Sequence, residues 1–147
     1  MYRRILVATD GTKLSGTAAR HGIDLAAAAG ADLVALNVSE RYPVAFFEKG
    51  FTVSGDEVDR FDAESASRGR ALVDKLCGAA LARGVKATPV VVRSNHVAES
   101  ILAAAKKHKC DLIVMASHGR KGLKRVLMGS ETQQVLVHGT VPVLVVR

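Results

Sequence analysis

The sequence predicts an α/β protein, a three-layer α/β/α sandwich around a parallel five-stranded sheet. Five short apolar runs alternate with longer Ala-rich segments of helical spacing, and the runs span residues 4–9, 32–38, 86–93, 111–116 and 141–146. The runs are almost continuously apolar, which is typical of parallel strands covered on both faces. Regular alternation of strands and helices indicates βαβ units with right-handed crossovers.

Each helical segment has an apolar stripe. Gly30 and Gly84 are predicted to end the first and second helices, and Asn95 is predicted to cap the third. A shorter fourth helix is predicted from Ser130 to His138. The stripes of the first three helices comprise Ala18, Gly22, Leu25, Ala26 and Ala29; Val73, Leu76, Cys77, Ala80 and Leu81; and Val97, Ile101, Leu102 and Ala105.

Two prolines limit the possible orders of the strands in the sheet. Pro89 lies in the third apolar run and Pro142 in the fifth, and proline is confined to edge strands and strand starts because it lacks the backbone donor. The predicted order is therefore 3-2-1-4-5, since the order 2-1-3-4-5 would bury Pro89 in the middle of the sheet. In that order the chain changes direction between strands 1 and 4. Open α/β sheets bind ligands at this switch point, and the two loops concerned begin at Asp10 and Ser117.

Length and composition limit the class of protein. A chain of 147 residues, 48% apolar and 24% charged, is typical of one globular domain over residues 1–147. Cys77 and Cys110 are too far apart for a zinc or redox motif and are interpreted as two buried, reduced thiols. No apolar run reaches the ~20 residues of a membrane span, and the run at 5–8 is too short for a signal-peptide core. We expect a cytoplasmic protein without a membrane partner.

The charge of the chain favours anionic partners. The formal net charge is +7, which attracts anions in general without naming one. Aromatic residues make up only 4% of the chain and tryptophan is absent. Because single-stranded nucleic acids are bound on aromatic stacking platforms, a nucleic-acid partner is not favoured.

The connection after the second predicted strand is unusually long for a protein of alternating strands and helices. Residues 40–59 contain Tyr42, Phe46, Phe47 and Phe51, which are most of the aromatic residues in the chain. Long segments in compact domains are often lids or binding segments. Equally, the rings could pack beneath the segment as a small satellite cluster. The sequence leaves both interpretations open.

The loop after strand 4 has two features that suit a phosphate chain. Gly119, Gly122 and Gly129 allow close backbone approach to an anion, and Gly129 precedes the amino end of the fourth helix, where unpaired N–H groups favour an anion. Ser130 and Gln133 also form a capping-box pattern, so Ser130 could cap the helix, contact a ligand, or do both. Four cations add positive charge to the loop: Arg120, Lys121, Lys124 and Arg125.

The loop after strand 1 contributes an acid. Asp10 follows Ala8-Thr9 and precedes Gly11. A carboxylate here can accept hydrogen bonds from a ribose hydroxyl or an adenine amino group. It could instead cap the first helix or fix the turn.

At these residues the sequence resembles the universal stress protein family, in particular its ATP-binding branch. The resemblance rests on the segments RRILVATDGT, LVALNV, DLIVMASHGR and MGS…VPVLVVR. That branch carries Gly, two residues, Gly, nine residues, then Gly-Ser or Gly-Thr. Gly119 and Gly129-Ser130 fit this pattern, whereas Ala116 stands at its first glycine.

The resemblance implies a Rossmann-like fold of the adenine nucleotide alpha hydrolase type and a set of ligand contacts. Adenine and ribose contacts are implied for Ala8, Thr9, Asp10, Val38 and Met115. Phosphate contacts, largely through backbone groups, are implied for Gly119, Gly129, Ser130, Glu131 and Thr132, and Glu131 is expected to use its amide rather than its carboxylate. Ala116 and Arg120 complete the candidate nucleotide-binding site.

Several residues invite other interpretations. Ser117 and His118 are adjacent, but neighbours rarely aim at each other, so a nucleophile–base pair is not favoured. The remaining histidines lack metal-ligand spacing. The preferred hypothesis is an ATP-binding regulatory protein, with or without Mg²⁺, that has at most weak ATPase activity and an unidentified protein partner. The alternatives are a non-nucleotide scaffold of the same fold, motivated by Ala116 and Glu131, and a basic nucleic-acid-associated protein.

Assembly can be predicted from the last strand. The run 141–146 is placed at a sheet edge, is apolar and carries no charge. Exposed apolar edges are templates for pairing with another chain. We expect a twofold homodimer in which this strand runs antiparallel to its mate, and the family resemblance implies the same interface.

Overall fold

The computed structural model describes residues 1–42, 50, 53–119 and 128–147. These residues form five strands and four helices that alternate along the chain. The elements are β1 (Arg4–Ala8), α1 (Lys13–Ala29), β2 (Asp32–Ser39), α2 (Gly55–Ala82), β3 (Ala87–Arg93), α3 (Val97–Lys107), β4 (Leu112–Ala116), α4 (Ser130–His138) and β5 (Val143–Val146). The predicted α/β class is confirmed.

All strand pairs in the sheet are parallel, and their order is β3-β2-β1-β4-β5. This is the order that the prolines predict. Pro89 lies in the edge strand β3, opposite Ala35. Pro142 lies just before the other edge strand, and its carbonyl accepts a hydrogen bond from the Ile113 amide at 3.0 Å. Strand β5 is therefore two residues shorter than the apolar run at 141–146.

The core consists of two layers because alternate residues of each buried strand face opposite sides. Ile5 and Val7 point towards α1 and α2, where they pack with Val73. Leu6 points towards α3 and α4, where it packs with Ile101. All of these side chains are buried, and burying each large one contributes about 1.5–3 kcal/mol.

Helix α1 begins and ends at residues that favour those positions. The hydroxyl of Thr12 accepts a hydrogen bond from the Ser15 amide at 3.2 Å, which satisfies one of the unpaired donors of the first turn. Gly30 follows the last turn with φ of 66°, a left-handed conformation that glycine adopts without strain. Gly30 therefore ends the helix as predicted.

The long connection is shorter than the predicted segment 40–59. Ser54 caps α2, accepting a hydrogen bond from the Glu57 amide at 3.2 Å, and the helix begins at Gly55. The spacing Ser54-x-x-Glu57 is a capping-box pattern that the sequence analysis did not use. The ring of Tyr42 packs edge-to-face on Phe61 of α2, with centroids 5.4 Å apart. The predicted lid residues Phe46, Phe47 and Phe51 lie outside the described residues.

Three smaller predictions about the helices are wrong. Leu81 is 73% exposed and does not join the α2 stripe, and Cys77 is only partly buried. Asn95 does not cap α3, because its side-chain Oδ1 accepts a hydrogen bond from the Arg41 backbone amide at 2.9 Å. His96 precedes the helix instead and makes no side-chain capping bond.

In the part of the chain that the structure describes, no helix is both long and apolar enough to cross a membrane.

Candidate functional site

A cleft of about 480 Å³ opens at the carboxyl ends of the strands. It lies where β1 and β4 are neighbours and the chain leaves them towards opposite faces of the sheet, β1 to α1 and β4 to α4. This is the switch point at which open α/β sheets bind ligands. The volume is within the usual range for small-molecule sites, roughly 300–1,000 Å³.

Eleven of the twelve sequence-predicted site residues line this cleft. They are Ala8, Thr9, Asp10, Val38, Met115, Ala116, Gly119, Gly129, Ser130, Glu131 and Thr132. The twelfth, Arg120, lies outside the described residues. The fold thus brings together residues from four separate segments of the chain, and their role in nucleotide binding stays a prediction.

Asp10 fixes the turn that joins β1 to α1. Its Oδ1 accepts hydrogen bonds from the amide of Thr12 at 3.0 Å and from the hydroxyl of Thr12 at 2.7 Å. A β-carbon added to Gly119 would lie 2.7 Å from Oδ2 of Asp10. A side chain at residue 119 would therefore require the Asp10 carboxylate to shift. Asp10 has the structural role that the sequence allowed, and its carboxylate also faces the cleft.

The other end of the cleft is formed by the first turn of α4. Gly129 precedes the helix, and no side chain caps this end within the described residues. The predicted capping box is wrong, because Ser130 is the first helical residue and the Gln133 amide group donates to the carbonyl of Met128 at 3.0 Å. The Gly129 amide donates to the Ser117 carbonyl at 2.7 Å and holds the loop against the end of β4. An uncapped amino end of a helix presents N–H groups and a positive dipole end to an anion.

Thr132 anchors this turn to the sheet. Its side chain is buried, and its hydroxyl donates a hydrogen bond to the carbonyl of Ala116 at 3.0 Å. The hydroxyl is therefore engaged within the protein. That Thr132 contacts phosphate through its main chain stays a prediction.

Glu131 has a role that the sequence does not reveal. Its Oε2 accepts a hydrogen bond from the amide of Ala98, in the first turn of α3, at 2.9 Å. A carboxylate at the amino end of a helix is stabilised by an otherwise unpaired donor and by the helix dipole. Residue 131 therefore caps the adjacent helix α3, which holds its negative charge.

Removing this carboxylate should destabilise the protein. We expect Glu131→Ala to lower the free energy of unfolding by about 1–2 kcal/mol, because it leaves the partly buried Ala98 amide without an acceptor. Glu131→Gln keeps an acceptor oxygen and should lose less. Urea denaturation measures both, with Glu99→Ala as the control, since Glu99 is an exposed acid in the same turn of α3. If the Glu131→Ala protein unfolds at the same urea concentration as the wild type, the hydrogen bond between Ala98 and Glu131 does not contribute to stability.

The sequence analysis missed a polar network beside the cleft. The side-chain amide of Asn37 donates to the Thr9 carbonyl at 2.9 Å, and the Ser39 hydroxyl donates to the Asn37 side-chain oxygen at 2.9 Å. The Ser39 hydroxyl also contacts the Ser65 carbonyl of α2 at 3.3 Å. The available signal was the presence of Asn37 and Ser39 on one face of an otherwise apolar strand. The network fixes the end of β1 relative to β2 and α2.

Charged groups surround the mouth of the cleft. Arg41 and Arg68 contribute cations, and Asp10, Glu40 and Glu131 contribute acids. The guanidinium of Arg41 donates through Nε to the Arg93 carbonyl at 3.1 Å, which fixes the segment after β2. The wall of the cleft on this side is therefore built by hydrogen bonds between β2, β3 and the residues that follow them.

Ser117 and His118 are closer than the sequence analysis expected, with 3.3 Å between Oγ and Nδ1. Among residues 1–42, 50, 53–119 and 128–147, no hydrogen bond joins His118 to a carboxylate. The same residues contain no group of three or more His, Cys, Asp or Glu side chains that could hold a metal ion.

The fold and the cleft define an open parallel α/β protein with a cleft at the switch point of its sheet. The family model of the universal stress protein family matches residues 1–147. The chain therefore belongs to the universal stress protein family, as the resemblance of its motifs indicated.

Individual relatives agree with this assignment. The chain is 31% identical over 147 residues to universal stress protein MJ0531 of Methanocaldococcus jannaschii, covering 100% of this chain and 83% of that protein. The solved structure of protein MJ0577, from the same organism, superposes with a TM-score of 0.79 at 26% identity over 99% of this chain and 96% of that one. The structure of the Archaeoglobus fulgidus universal stress protein in complex with dAMP has the same fold, with a TM-score of 0.65 at 15% identity over 99% of this chain and 98% of that one.

Proposed function

We propose that this chain binds ATP in the cleft, with or without Mg²⁺, and that nucleotide occupancy regulates its interaction with a partner protein. One observation carries the proposal: the Asp10 carboxylate and the uncapped first turn of α4 line the same cleft. A nucleoside triphosphate needs acceptors for its sugar and base at one end and donors for its phosphates at the other. The dAMP complex of a protein with this fold supports an adenine nucleotide as the ligand.

The adenosine end of the ligand would lie against β1, β2 and β4. Val38 and Met115 offer apolar contacts there. The backbone of Thr9 is already fixed, since its amide donates to the Leu36 carbonyl at 2.9 Å and its carbonyl accepts from Asn37. Asp10 and the neighbouring carbonyls are acceptors, and they favour the amino group of adenine over the carbonyl that guanine presents at the same position. We therefore propose selectivity for ATP over GTP.

The phosphates would lie at the first turn of α4. Ser130, Glu131 and Thr132 each contribute a backbone amide, and the absence of side chains at Gly119 and Gly129 lets the phosphates approach the main chain. The Glu131 carboxylate does not oppose this arrangement, because it is hydrogen-bonded to the amino end of α3.

The described residues of the cleft support a regulatory role for bound ATP rather than its hydrolysis. A carboxylate that activates water must be able to approach the phosphates. Of the three carboxylates in the described part of the cleft, Glu131 is hydrogen-bonded to the Ala98 amide, and Asp10 and Glu40 follow β1 and β2, where the proposal places the adenosine. We therefore propose that hydrolysis, if it occurs, is slow.

The ligand can be identified directly. Protein purified rapidly without added nucleotide is denatured, and the released small molecules are analysed by mass spectrometry. The proposal expects an adenine nucleotide near one equivalent per chain, depleted in protein carrying Asp10→Ala. Recovery of no nucleotide from the wild type would favour the alternative of a non-nucleotide scaffold. That alternative rests on Ala116, whose β-carbon stands at the first glycine of the motif.

We also propose that the chain forms a homodimer through the free edge of β5. Leu144 of that strand is 37% exposed, and the preceding helix exposes Leu136 and Val137 by 42% and 74%. Three large apolar side chains in the last two elements are more than isolated surface residues, and apolar strand edges favour pairing.

A charge at this edge should break the dimer. We expect Leu144→Lys to shift the protein from dimer towards monomer, because the substitution buries an unpaired ammonium group in the contact. Light scattering measures the mass, with about twice the chain mass of 15.5 kDa expected for the wild type. Leu81→Lys is the matched control, because Leu81 is an exposed leucine on α2. A wild-type protein that remains monomeric at tens of micromolar would contradict the proposed interface.

A further inference from the structure

The amino ends of the strands lie at the opposite end of the sheet from the cleft. Lysine side chains are concentrated in one part of this surface. Lys106 and Lys107 end α3, and Lys109 follows two residues later. All three are exposed. Within the described residues none of the three forms an ion pair.

The carboxylates at this end of the molecule are already engaged. Asp32 pairs with Arg4 at 3.6 Å, and Asp24 pairs with Arg83. Asp111 accepts hydrogen bonds from the backbone amide of Arg3 at 2.8 Å and from that of Arg4 at 3.1 Å. Because these carboxylates have other partners, they do not neutralise the three lysines. The surface next to the start of β4 therefore carries a net positive charge.

A cavity of about 410 Å³ lies within this surface, between the carboxyl ends of α3 and α4. Its floor is apolar, and its rim carries two lysines and a histidine. We call it the basic pocket; its lining includes Leu102, Ala105, Cys110 and Val141 on the floor and Lys106, Lys109 and His138 on the rim. None of these residues belongs to the nucleotide site, which lies at the opposite edge.

The backbone at Lys109 is set by the end of α3. Its φ is 55°, and among the described residues it is the only one other than glycine with a positive φ. The Cys110 amide donates to the Ala105 carbonyl at 2.8 Å, a bond that commonly ends a helix together with one left-handed residue. This turn therefore holds Lys109 beside the pocket.

The chemistry of the floor limits what can bind. Burial raises the pKa of the Cys110 thiol to about 11, so the thiol is neutral at physiological pH and is a poor nucleophile. The helices that border the pocket present their carboxyl ends, whose dipole is negative and whose last carbonyls are hydrogen-bond acceptors. Phosphates and carboxylates alike would find donors here in the lysine ammonium groups, whereas an apolar side chain would find a floor that fits it.

We propose that the basic pocket docks an acidic peptide segment of a partner protein, with one apolar side chain in the pocket and carboxylates on Lys106 and Lys109. This arrangement uses both the apolar floor and the unpaired cations. Nucleic acid would neutralise the lysines but would leave the floor empty. Because the pocket and the cleft lie at opposite edges of the sheet, the peptide and a nucleotide can be bound at the same time.

Fluorescence anisotropy with short labelled peptides tests this proposal. The probe is a run of glutamates around one leucine. In one control peptide the leucine is replaced by glycine, and in the other the glutamates are replaced by glutamines. The protein variant is Lys106→Ala combined with Lys109→Gly. It removes both charges without threatening the fold, since alanine favours helices and glycine relieves the positive φ. The matched control is Lys75→Ala, an exposed lysine in α2 on the other side of the sheet.

The wild type should bind the glutamate–leucine peptide saturably and each control peptide at least about tenfold more weakly. The double variant should also bind the probe about tenfold more weakly, whereas Lys75→Ala should leave the affinity unchanged. Two results would overturn the proposal, because each would show that only non-specific charge attraction operates. One is equal affinity for the glycine peptide and the glutamate–leucine peptide. The other is equal affinity for a labelled DNA duplex whose binding the double variant also loses.

Discussion

Gly129→Val should weaken ATP binding by about a hundredfold while the protein still folds. The φ of Gly129 is −59° with ψ of 149°, a conformation that valine adopts readily. A β-carbon at this position, however, would lie 3.2 Å from Cα of His118 and 3.3 Å from the Ser117 carbonyl. Residues 117–118 or the first turn of α4 would therefore have to shift by a few tenths of an ångström, which would displace the amides that the proposal places on the phosphates. Losing one or two hydrogen bonds from amides to phosphate costs about 2–3 kcal/mol, which corresponds to this factor.

Two variants make this result specific. Gly129→Ala adds only the β-carbon and should lose less affinity than the valine variant. Gly78→Val is the matched control, because Gly78 is exposed on α2 and a β-carbon there meets nothing within 4 Å. Isothermal titration of each protein with ATP measures the affinities, and circular dichroism verifies folding. Wild-type affinity in a folded Gly129→Val protein would show that the phosphates do not lie at this turn.

Gly22→Ala should be strongly destabilising although alanine is the better helix former. Gly22 is buried on the inner face of α1, where an added β-carbon would overlap Cγ2 of Val7 in the central strand β1. Val7 is fully buried and cannot move away without disturbing the core. Overpacking a close-packed core costs about 1–3 kcal/mol, and we expect a loss of this size in the free energy of unfolding.

A glycine-to-alanine substitution at an exposed position of a helix should instead raise the free energy of unfolding. Gly78→Ala places a methyl group in open space on α2 and should stabilise the protein by up to about 1 kcal/mol, because alanine is favoured over glycine within helices. Chemical denaturation of both variants gives the comparison. If Gly22→Ala is as stable as the wild type, helix α1 packs farther from β1 than the structure shows.

The fold could be predicted because each of its signals is local. The apolar runs give the strands, and Gly30 and Gly84 end helices at positive φ angles of 66° and 74°. Pro89 and Pro142 gave the strand order because the missing donor of proline has the same consequence in any sheet. The start of α2 was misplaced for a correctable reason, since the pair Ser54 and Glu57 carries a capping-box signal.

The functions of single side chains in the cleft were harder to predict, because they depend on contacts between distant segments. Glu131 caps α3 from 33 residues away, and Thr132 bonds to the Ala116 carbonyl 16 residues away. Neither partner can be deduced from a local pattern. Gly119 was expected to let an anion approach the backbone, and the structure adds that a β-carbon there would meet the Asp10 carboxylate. The sequence thus identified the segments that build the cleft, and the fold determines which atoms of each residue remain available to a ligand.

Titration calorimetry of nucleotide-free protein tests the central claim most directly. The protein is unfolded and refolded, or exhaustively dialysed, until mass spectrometry finds no bound nucleotide, and ATP is then titrated with and without Mg²⁺. We predict saturable heat with one site per chain, weaker binding of GTP, and a clear loss of affinity in Asp10→Ala. Folded, nucleotide-free wild-type protein that gives no heat with ATP would contradict nucleotide binding by this chain.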